Sequence, residues 1–417
     1  MINRNIFNEL INDLDRREIT VLIGPRQVGK TTLLKALKTY CDAQSLPVIG
    51  YRDLEQPVDS AFFARSRAEI LEELKSGKGV LLIDEFHYIP NATQLFKAIY
   101  DGLPLIKIFA TGSSSVEMHR HLKESLAGRR RIHRIFPMDF REYLQTTSVS
   151  FFPSSLKEPV PSPVRTQWRE AWDQFIGYGS LPGVIRETSA DEKKRVLLDY
   201  VATYIQKDVK ALLREEDILT FNKMLILLAH QSGSLLNESN IANDLKYSPR
   251  QVRKDLDILQ QTYVLDLVMP YFRNRATELK KTPKAYLYDL GIRNILLSDF
   301  SDVGGRLDKG SISETAVYQE LKKHLQITQQ IFFWRTKQKD EVDFVLVKDR
   351  KPLPVEVKGK LNRAEIPGSL RKFLKIYPES ACGIVLNDDL MAETEIDGHR
   401  VYFAPHAYAS LIPGLQR

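Results

Sequence analysis

A glycine-rich stretch near the amino terminus, GPRQVGKTT, has the residue types that bind phosphate groups. Gly24 and Gly29 frame the pattern G-x-x-x-x-G-K-T, which ends at Lys30 and Thr31. Glycines let backbone N–H groups face phosphates, the lysine reaches the β- and γ-phosphates, and the threonine hydroxyl binds Mg²⁺. We therefore predict that ATP and Mg²⁺ bind at a phosphate loop formed by Gly24, Pro25, Arg26, Gln27, Val28, Gly29, Lys30, Thr31 and Thr32.

Two adjacent carboxylates, Asp84 and Glu85, follow the apolar run at residues 80–83. If the sheet is parallel, this strand ends beside the phosphate loop. Asp84 would then hold Mg²⁺ through water, and Glu85 would polarise the attacking water. A further strand ends in the polar segment TGSSS, so Thr111 and Ser113 would sense the γ-phosphate from the same edge. The alternative for these two residues is a serine-rich helix cap.

Three consecutive arginines, Arg129, Arg130 and Arg131, come directly before the apolar run at residues 132–136. A guanidinium from Arg129 or Arg130, supplied to the γ-phosphate of a neighbouring subunit, would stabilise the charge of the transition state. This interpretation predicts a homo-oligomer. The alternatives are a solvated basic loop or a contact with a phosphate backbone, because runs of charge are usually solvated.

The elements that must position these residues are indicated by the apolar pattern. A β-rich run at residues 19–23 precedes the phosphate loop, and Leu33, Leu34 and Leu37 follow it at helical spacing. Residues 48–51 would supply a second strand. Five strands alternate with helices through about residue 145, and this alternation predicts an α/β fold with a parallel sheet between helical layers.

Four motifs, GPRQVGKTT, LLIDEFHYIP, ATGSSS and LAGRRRIHRIFPMDFREYL, resemble in this order those of a prokaryotic AAA+-type ATPase family. The likeness continues downstream and covers nearly the whole chain. The family implies an ATP-hydrolysing protein with a C-terminal domain of unassigned function. With the composition, it predicts an AAA+-type P-loop ATPase domain at 1–147, a Pro- and Ser-rich linker at 148–167, a helical region with a winged helix at 168–285 and a nuclease-like domain at 286–417.

The helical region contains a pattern that is typical of DNA-binding modules. Two short helices precede SPRQVRKDLDILQQTYV, where Ser248 would cap a third helix and the segment VLDLVMPYFR could form a wing. Residues 246–284 hold nine basic and four acidic side chains. A winged helix that packs against protein is the alternative. The side chains predicted to contact DNA are those near the start of the third helix, Arg250, Gln251, Arg253 and Lys254.

A second group of carboxylates lies in the C-terminal third. Asp343 falls in a predicted strand at 342–347, and Glu356 and Lys358 lie at alternate positions at the end of the next strand, so these two share one face. Asp343 and Glu356 on neighbouring strands could hold one Mg²⁺, with Lys358 beside the attacking water or the phosphate. That arrangement would suit phosphodiester hydrolysis.

This spacing resembles the PD-(D/E)XK nuclease fold, although the first motif is Val-Asp-Phe rather than Pro-Asp. The superfamily often adds a Glu on a preceding helix, and the resemblance assigns that role to Glu314. It implies a small mixed α/β restriction-endonuclease-like domain with a metal-dependent DNA nuclease activity. A fold of this kind can also keep its acids and serve only to bind DNA or to dock subunits.

Composition limits the remaining choices. The chain has 417 residues, a net charge of +7 and two distant cysteines, Cys41 and Cys382, that form no metal pattern. We expect a cytoplasmic protein with no membrane segment and with DNA as its partner. Our first hypothesis is an ATPase that remodels or translocates DNA, with branched DNA as one candidate substrate. One alternative is an ATP-controlled switch that binds DNA or a protein partner and whose own nuclease-like domain is silent. Another is a remodeller that acts only on proteins.

Overall fold

The computed structural model describes residues 4–113, 126–210, 212–213, 217–272 and 282–416. The chain divides into two units. The first contains Met1–Pro137, Gln206–Asp208 and Gln261–Tyr263, and the second contains Met138–Ile205, Val209–Gln260 and Val264–Arg417. The first unit therefore ends before the predicted boundary at residue 147, and the regions predicted at 168–285 and 286–417 lie largely within one unit.

A five-stranded parallel sheet forms the centre of the first unit, as the alternating pattern predicts. Its order is β2-β3-β4-β1-β5. β1 is buried along its whole length, which explains its continuous apolar sequence. The elements are β1 (Ile19–Gly24), β2 (Val48–Asp53), β3 (Gly79–Asp84), β4 (Ile106–Ser113) and β5 (Arg130–Arg134), with helices α1 (Phe7–Asn12), α2 (Lys30–Ala43), α3 (Pro57–Phe63), α4 (Arg67–Leu74) and α5 (Ala92–Gly102).

Strand order decides which residues meet at the carboxyl edge of this sheet. β4 lies between β1 and β3 and pairs in parallel with both. The carboxyl ends of parallel strands share one edge, where ligands bind in open α/β sheets. The ends of β1, β3 and β4 therefore bring Gly24, Asp84 and Thr111 to one edge of the sheet, as the sequence predicts.

The opposite edge of the same sheet is held by a buried ion network. Asp13, which follows α1, accepts hydrogen bonds from Thr20 Oγ1 at 3.0 Å and His133 Nε2 at 2.8 Å. The guanidinium of Arg131 lies 3.0 Å from the same carboxylate. Burial lowers the pKa of His133, but hydrogen bonds to Glu9 and Asp13 outweigh burial, so this pKa lies above its usual value.

The raised pKa of His133 predicts that stability falls as pH rises. A histidine whose pKa is raised in the folded state stabilises the fold below its unfolded pKa of about 6.5, and this contribution is lost as pH rises through the folded pKa. We expect the melting temperature of the wild type to fall between about pH 6 and about pH 8 relative to His133→Gln. Thermal unfolding of both proteins measures this. A wild type that gains stability relative to the variant over this range would contradict the assignment.

The second unit begins with helices and a two-stranded hairpin. Three consecutive helices, α10 to α12, precede the antiparallel β6–β7 hairpin, in the order that the sequence predicts. Ser248 Oγ accepts a hydrogen bond from the backbone N–H of Gln251 at 3.2 Å, so Ser248 caps α12. The elements are α6 (Phe140–Leu144), α7 (Arg165–Tyr178), α8 (Pro182–Arg186), α9 (Ala190–Tyr204), α10 (Ile218–His230), α11 (Glu238–Leu245), α12 (Pro249–Gln261), β6 (Leu265–Val268) and β7 (Lys284–Leu287).

A six-stranded mixed sheet completes the second unit. Its order is β12-β13-β11-β10-β9-β8, in which β8, β9 and β10 are antiparallel neighbours and β10, β11 and β13 pair in parallel. The elements are α13 (Leu290–Leu296), α14 (Lys309–Lys323), β8 (Gln330–Arg335), β9 (Glu341–Lys348), β10 (Lys351–Val357), α15 (Gly368–Ile376), β11 (Cys382–Asn387), β12 (Ala392–Ile396) and β13 (His399–Pro405), followed by a 3-10 segment, His406–Leu415.

The segment 148–167 is packed in the structure, not solvated as a linker would be. Val149, Leu156 and Val160 are buried in the same core as the C-terminal sheet. The Tyr408 hydroxyl also donates a hydrogen bond to the Glu158 carbonyl at 2.7 Å. Prolines and serines keep this segment extended. The apolar residues between them pack into the core, and removing their surface from water stabilises the fold.

Two further expectations concern the chain as a whole. Cys41 and Cys382, the two cysteines that form no metal pattern in the sequence, are both free and buried. In the described parts of the chain, no helix combines the length and the apolar character needed to cross a membrane.

Candidate functional site

The phosphate loop connects β1 to α2 through backbone conformations that favour glycine. Gly29 has φ +93° and directly precedes Lys30, the first residue of α2. At Gly24, with φ +154°, a Cβ atom would lie 2.1 Å from the Ile135 carbonyl oxygen. Lys30 is only 5% exposed, and its Nζ donates hydrogen bonds to the carbonyls of Gly24 at 3.0 Å and Pro25 at 2.7 Å. The lysine ammonium therefore lies inside the curve of the loop.

The acid at the end of β3 is held by two hydroxyl groups. Asp84 is 2% exposed. One of its oxygens accepts a hydrogen bond from Tyr51 Oη at 3.0 Å, and the other accepts one from Thr111 Oγ1. Burial and the neighbouring Asp84 raise the pKa of Tyr51, so this tyrosine stays protonated and donates. The position of the Asp84 carboxylate is therefore fixed from β2 on one side and from β4 on the other.

Thr111 also contacts the second acid of the pair. Its Oγ1 accepts a hydrogen bond from the backbone N–H of Glu85 at 3.0 Å. Glu85 adopts φ +55°, and its carboxylate lies 3.2 Å from His87 Nδ1. Burial works to raise the pKa of Glu85, but the His87 hydrogen bond and the charges of Lys30 and Arg26 outweigh it. The Glu85 pKa is lowered, and the carboxylate is ionised at neutral pH.

The other predicted residues of the loop have different exposures. Thr31 is half-buried and Thr32 is exposed in the first turn of α2, while Val28 is buried, Arg26 half-buried and Gln27 exposed. Ser113 ends β4, but its side chain lies outside what the structure describes. The role predicted for Ser113 therefore stays a prediction.

The predicted arginine finger lies at the wrong edge of the sheet to act within one chain. Arg130 pairs with Ile19, at the start of β1. A strand of six residues spans about 20 Å, which separates that start from the phosphate loop. Arg129 Nε lies 2.9 Å from Asp101 Oδ1 in an exposed ion pair. Any action of Arg129 or Arg130 on ATP would have to reach the site of another subunit, as the hypothesis requires.

Two arginines that the sequence reasoning missed lie at the phosphate-loop edge. Arg134 pairs with Ile23 at the end of β5 and is exposed. The Arg4 guanidinium donates hydrogen bonds to the Val28 carbonyl and to the Phe136 carbonyl, both at 2.8 Å. Arg4 thus ties the loop to the chain that follows β5. The position of Arg134 at the end of the predicted strand could have indicated that it lies near the phosphate loop. No local sequence pattern indicates such a position for Arg4.

On α12, the structure separates the four predicted DNA contacts into two pairs. Arg250 and Lys254 are exposed and one helical turn apart, so they share a face. Gln251 instead donates a hydrogen bond to Asp255 at 2.8 Å, and Arg253 Nε lies 2.5 Å from a Glu238 oxygen. The Gln251 amide is thus engaged by Asp255, which is buried, and its predicted DNA contact stays a prediction.

The C-terminal acids lie on the predicted elements, where donors of the same chain bind some of their oxygens. Asp343 Oδ2 accepts the Val357 N–H at 2.8 Å, while Glu356 Oε1 accepts hydrogen bonds from Lys358 Nζ at 2.6 Å and Ser369 Oγ at 3.1 Å. Burial, followed by the charges of neighbouring acids, raises the Asp343 pKa well above its usual value. Within the described ranges, no group of three or more His, Cys, Asp or Glu side chains is placed to hold a metal ion.

Glu314 has partners within the chain. Its Oε1 accepts hydrogen bonds from Lys284 Nζ at 2.9 Å and from the Tyr286 hydroxyl at 2.6 Å, both on β7. The resemblance to the nuclease fold assigned Glu314 to a metal, and this role stays a prediction. No local pattern indicated that Lys284 and Tyr286 would contact this side chain.

Three family models match consecutive parts of the chain. Residues 16–144 match a model described as AAA domain. Residues 169–303 match a domain of unknown function, DUF8612, and residues 309–406 match another, DUF4143. The first match and the geometry of the phosphate-loop edge support an AAA-type ATPase, as the sequence predicts. The descriptions of the other two models name no activity.

Relatives are found in bacteria and archaea. The uncharacterized protein Rv2008c of Mycobacterium tuberculosis is 26% identical over 365 residues, which cover 87% of this chain and 74% of that protein. The uncharacterized protein MJ1637 of Methanocaldococcus jannaschii is 24% identical over 406 residues, which cover 92% and 83% of the two chains.

Solved structures show only low overall similarity. AMPPCP-bound DnaA from Aquifex aeolicus is 16% identical, with a TM-score of 0.25 over 61% of this chain and 86% of that chain. Pif1 helicase from Candida albicans is 13% identical, with a TM-score of 0.25 over 35% of this chain and 43% of that chain.

Proposed function

We propose that this protein hydrolyses ATP and uses the energy to remodel DNA or to move along it, with branched DNA as one candidate substrate. The observation that supports hydrolysis is the hydrogen bonding of Thr111 to both Asp84 and Glu85, at the same sheet edge as the phosphate loop. One threonine thus couples the metal-holding acid to the acid that handles water. The DNA part of the proposal rests on the exposed basic pair of α12.

The residues at the phosphate-loop edge fit a magnesium–ATP complex. Thr31 and Asp84 offer the oxygen ligands that Mg²⁺ prefers, and the two hydroxyl donors that hold Asp84 keep its carboxylate in one orientation. When bound, Mg²⁺ would neutralise charge on the phosphates. The backbone N–H groups between Gly24 and Lys30 would bind the phosphates, and the Lys30 ammonium would exchange its loop carbonyls for phosphate oxygens.

Glu85 is the group that would act on water. Its lowered pKa keeps it ionised, so it can accept a hydrogen bond from water and orient that water for attack. His87 limits the movement of this carboxylate through the 3.2 Å contact. Thr111 links Glu85 to Asp84, so a change at the phosphates would be passed to Glu85 through a short chain of hydrogen bonds.

The DNA-binding face would be the start of α12. Arg250 and Lys254 are exposed near the N-terminus of the third helix of the α10–α12 group, which in a winged helix enters the major groove. The ion pair between Arg253 and Glu238 reduces the charge available from Arg253. We therefore assign phosphate or base contacts to Arg250 and Lys254, while the winged-helix assignment stays a proposal.

Salt dependence tests this face directly. The double substitution Arg250→Ala/Lys254→Ala should weaken binding to duplex DNA and lower the slope of log affinity against log salt by about 0.9 for each phosphate that the protein no longer neutralises. Fluorescence anisotropy with a labelled duplex at several salt concentrations measures the slope.

The matched control is Lys194→Ala/Arg195→Ala on α9, which also removes one lysine and one arginine charge. These two side chains are held in ion pairs with Asp191 and Glu192. We expect the control to keep the slope of the wild type. If both double variants change the slope equally, α12 is not the DNA-binding face. If the wild type shows no salt-dependent DNA affinity, a remodeller that acts only on proteins is the better hypothesis.

A slow nucleotide switch is the second candidate function. In this case ATP state would control binding to DNA or to a protein, and the C-terminal acids would be silent. The observation that favours it is that lysines bind Glu314 and Glu356 within the chain. The first proposal, of ATP hydrolysis coupled to work on DNA, includes a homo-oligomer, in which Arg129 or Arg130 would act on the ATP site of another subunit.

A further inference from the structure

A buried lysine lies among the C-terminal acids. Lys284 is 3% exposed, and its ammonium lies 2.9 Å from Glu314 Oε1 and 2.6 Å from Glu341 Oε1. It comes from β7, whereas Glu314 belongs to α14 and Glu341 begins β9. One positive charge therefore connects three elements, and it approaches the acids from the hairpin side. A buried ammonium needs paired oxygens of this kind, because an unpaired one is very costly.

The neighbouring acids have partners of their own within the chain. Arg335 Nη1 lies 2.8 Å from Glu341 Oε2, and Lys358 Nζ lies 2.6 Å from Glu356 Oε1. The cluster thus holds the three cations Lys284, Arg335 and Lys358 and the four acids Glu314, Glu341, Asp343 and Glu356. The cations nearly balance the charge of the acids, so a divalent ion would add positive charge where little negative charge is left.

The carboxylate oxygens that could bind Mg²⁺ are already used within the chain. Mg²⁺ is usually bound by one or two carboxylates together with waters and substrate phosphates. Here Asp343 Oδ2 accepts the Val357 N–H, and Glu356 Oε1 accepts hydrogen bonds from Lys358 and Ser369. In the described ranges, no group of three or more acidic, histidine or cysteine side chains is placed to hold a metal ion. Glu356 Oε2 is a buried oxygen that accepts no hydrogen bond from a described residue. Because this oxygen could still bind a metal ion, Glu356 is the residue to test.

Helix α14 shows why Glu314 points towards the hairpin. Its polar residues at helical spacing contact the hairpin or the turn before it. Ser311 Oγ donates to the Ser232 carbonyl at 2.6 Å, and Gln319 Nε2 donates to the Leu287 carbonyl at 2.9 Å. One turn further, Lys322 Nζ lies 2.6 Å from Asp266 Oδ2. Glu314 lies on the same face of α14 as these residues, so its position follows from the packing of this helix against the hairpin.

Aromatic side chains pack at the same contact between α14, the hairpin and the C-terminal sheet. The rings of Tyr286 and Tyr318 stack with centroids 4.4 Å apart, and Tyr286 lies 5.6 Å from the ring of Phe344 on β9. The Tyr286 hydroxyl donates to the same Glu314 oxygen as Lys284. Polar and aromatic contacts together fill the space between α14, β7 and β9.

We infer that the ammonium of Lys284 takes the place of a metal ion in this cluster. The cluster is then a metal-independent joint, which fixes the β6–β7 hairpin to α14 and to the C-terminal sheet, and not a nuclease centre. This inference is independent of ATP hydrolysis and of DNA binding, since it concerns only how these acids are compensated.

Metal binding to the wild-type chain tests the inference directly. Mn²⁺ is titrated into the full-length, nucleotide-free protein, and free Mn²⁺ is followed by electron paramagnetic resonance. We expect Glu356→Gln and the wild type to bind the same amount of Mn²⁺ up to about 1 mM, a range that covers sites built from protein oxygens. One Mn²⁺ per chain in the wild type that is lost in Glu356→Gln would overturn the inference.

Substitution of the lysine gives a second, independent measurement. Lys284→Met should lower the melting temperature, because it removes the cation paired with the largely buried Glu314 and leaves Glu341 with Arg335 alone. Adding Glu314→Gln should recover part of the loss. If Lys284→Met folds, its affinity for Mn²⁺ should rise at least about tenfold, since the acids are then free to take a metal.

The control is Lys372→Met, which breaks an ion pair with Asp340 that is partly exposed, so its melting temperature should change little. A Lys284→Met protein as stable as the control would overturn the inference. If Lys284→Met does not fold at all, the Mn²⁺ titration of the wild type and of Glu356→Gln still decides the question.

Discussion

Replacing Glu85 by glutamine is expected to slow ATP turnover by about 100-fold to 10,000-fold, the usual contribution of a general acid–base group. The glutamine keeps the size of the side chain but cannot accept a proton or carry the negative charge that orients water. ATP affinity should stay close to that of the wild type, because Lys30 and the phosphate loop are unchanged. Steady-state phosphate release measures turnover, and binding of a fluorescent ATP analogue measures affinity.

Glu72→Gln is the matched control for this prediction. Glu72 lies on α4 in an exposed pair with Lys75, so the same chemical change there should leave turnover unaltered. Together, the two variants separate loss of the catalytic carboxylate from a general effect of removing one negative charge. Glu85→Gln protein that releases phosphate as fast as the control would exclude Glu85 as the residue that activates water.

The local motifs of the first unit were predictable because each is short and its chemistry needs a fixed spacing. The phosphate loop requires glycines at Gly24 and Gly29, and an apolar run that ends in acids indicates the end of a buried strand. Both signals depend only on neighbouring residues. Parallel pairing follows from the alternation of strands and helices, and it brings Gly24, Asp84 and Thr111 to one edge.

Contacts between distant positions could not be predicted in the same way. Tyr51 reaches Asp84 across 33 positions, and Arg4 reaches Phe136 across 132. Side-chain periodicity shows which face of an element is buried, but it does not show which polar group lies on the other side. The arginine cluster illustrates the limit: a strand was predicted there, but only the parallel register shows that Arg130 lies beside the start of β1, away from the phosphate loop of its own chain.

The C-terminal acids show the same limit with a larger consequence. Asp343 and Glu356 lie on adjacent strands as predicted. The third predicted acid, Glu314, pairs with Lys284, which is distant in sequence and comes from the β6–β7 hairpin. A pattern of acids and a lysine is compatible with a metal site and with an internally compensated joint, because both need carboxylates close together. The position of Lys284 beside Glu314 favours the internally compensated joint over the metal site.

Gly24→Ala is expected to have the largest effect on the stability of the first unit, about 3 kcal/mol. The new Cβ would lie 2.1 Å from the Ile135 carbonyl oxygen and would require φ near +154°. That carbonyl belongs to backbone that cannot move aside easily, because the Ile135 N–H donates to the Ile23 carbonyl at 2.7 Å. The strain falls on the first residue of the phosphate loop, so ATP binding should weaken as well.

Gly102→Ala is the matched control, because it adds the same methyl group at a position with free space. Gly102 ends α5, and a Cβ there would have no atom within 4 Å. The same methyl group should therefore be neutral or stabilise by about 0.5 to 1 kcal/mol, since alanine restricts the unfolded chain. Chemical unfolding of both variants, followed by a probe in the first unit, measures the difference. If Gly24→Ala is as stable as Gly102→Ala and binds ATP as well as the wild type, then β5 does not approach the phosphate loop as closely as described. Arg4 and Arg134 would then have no fixed position beside the site.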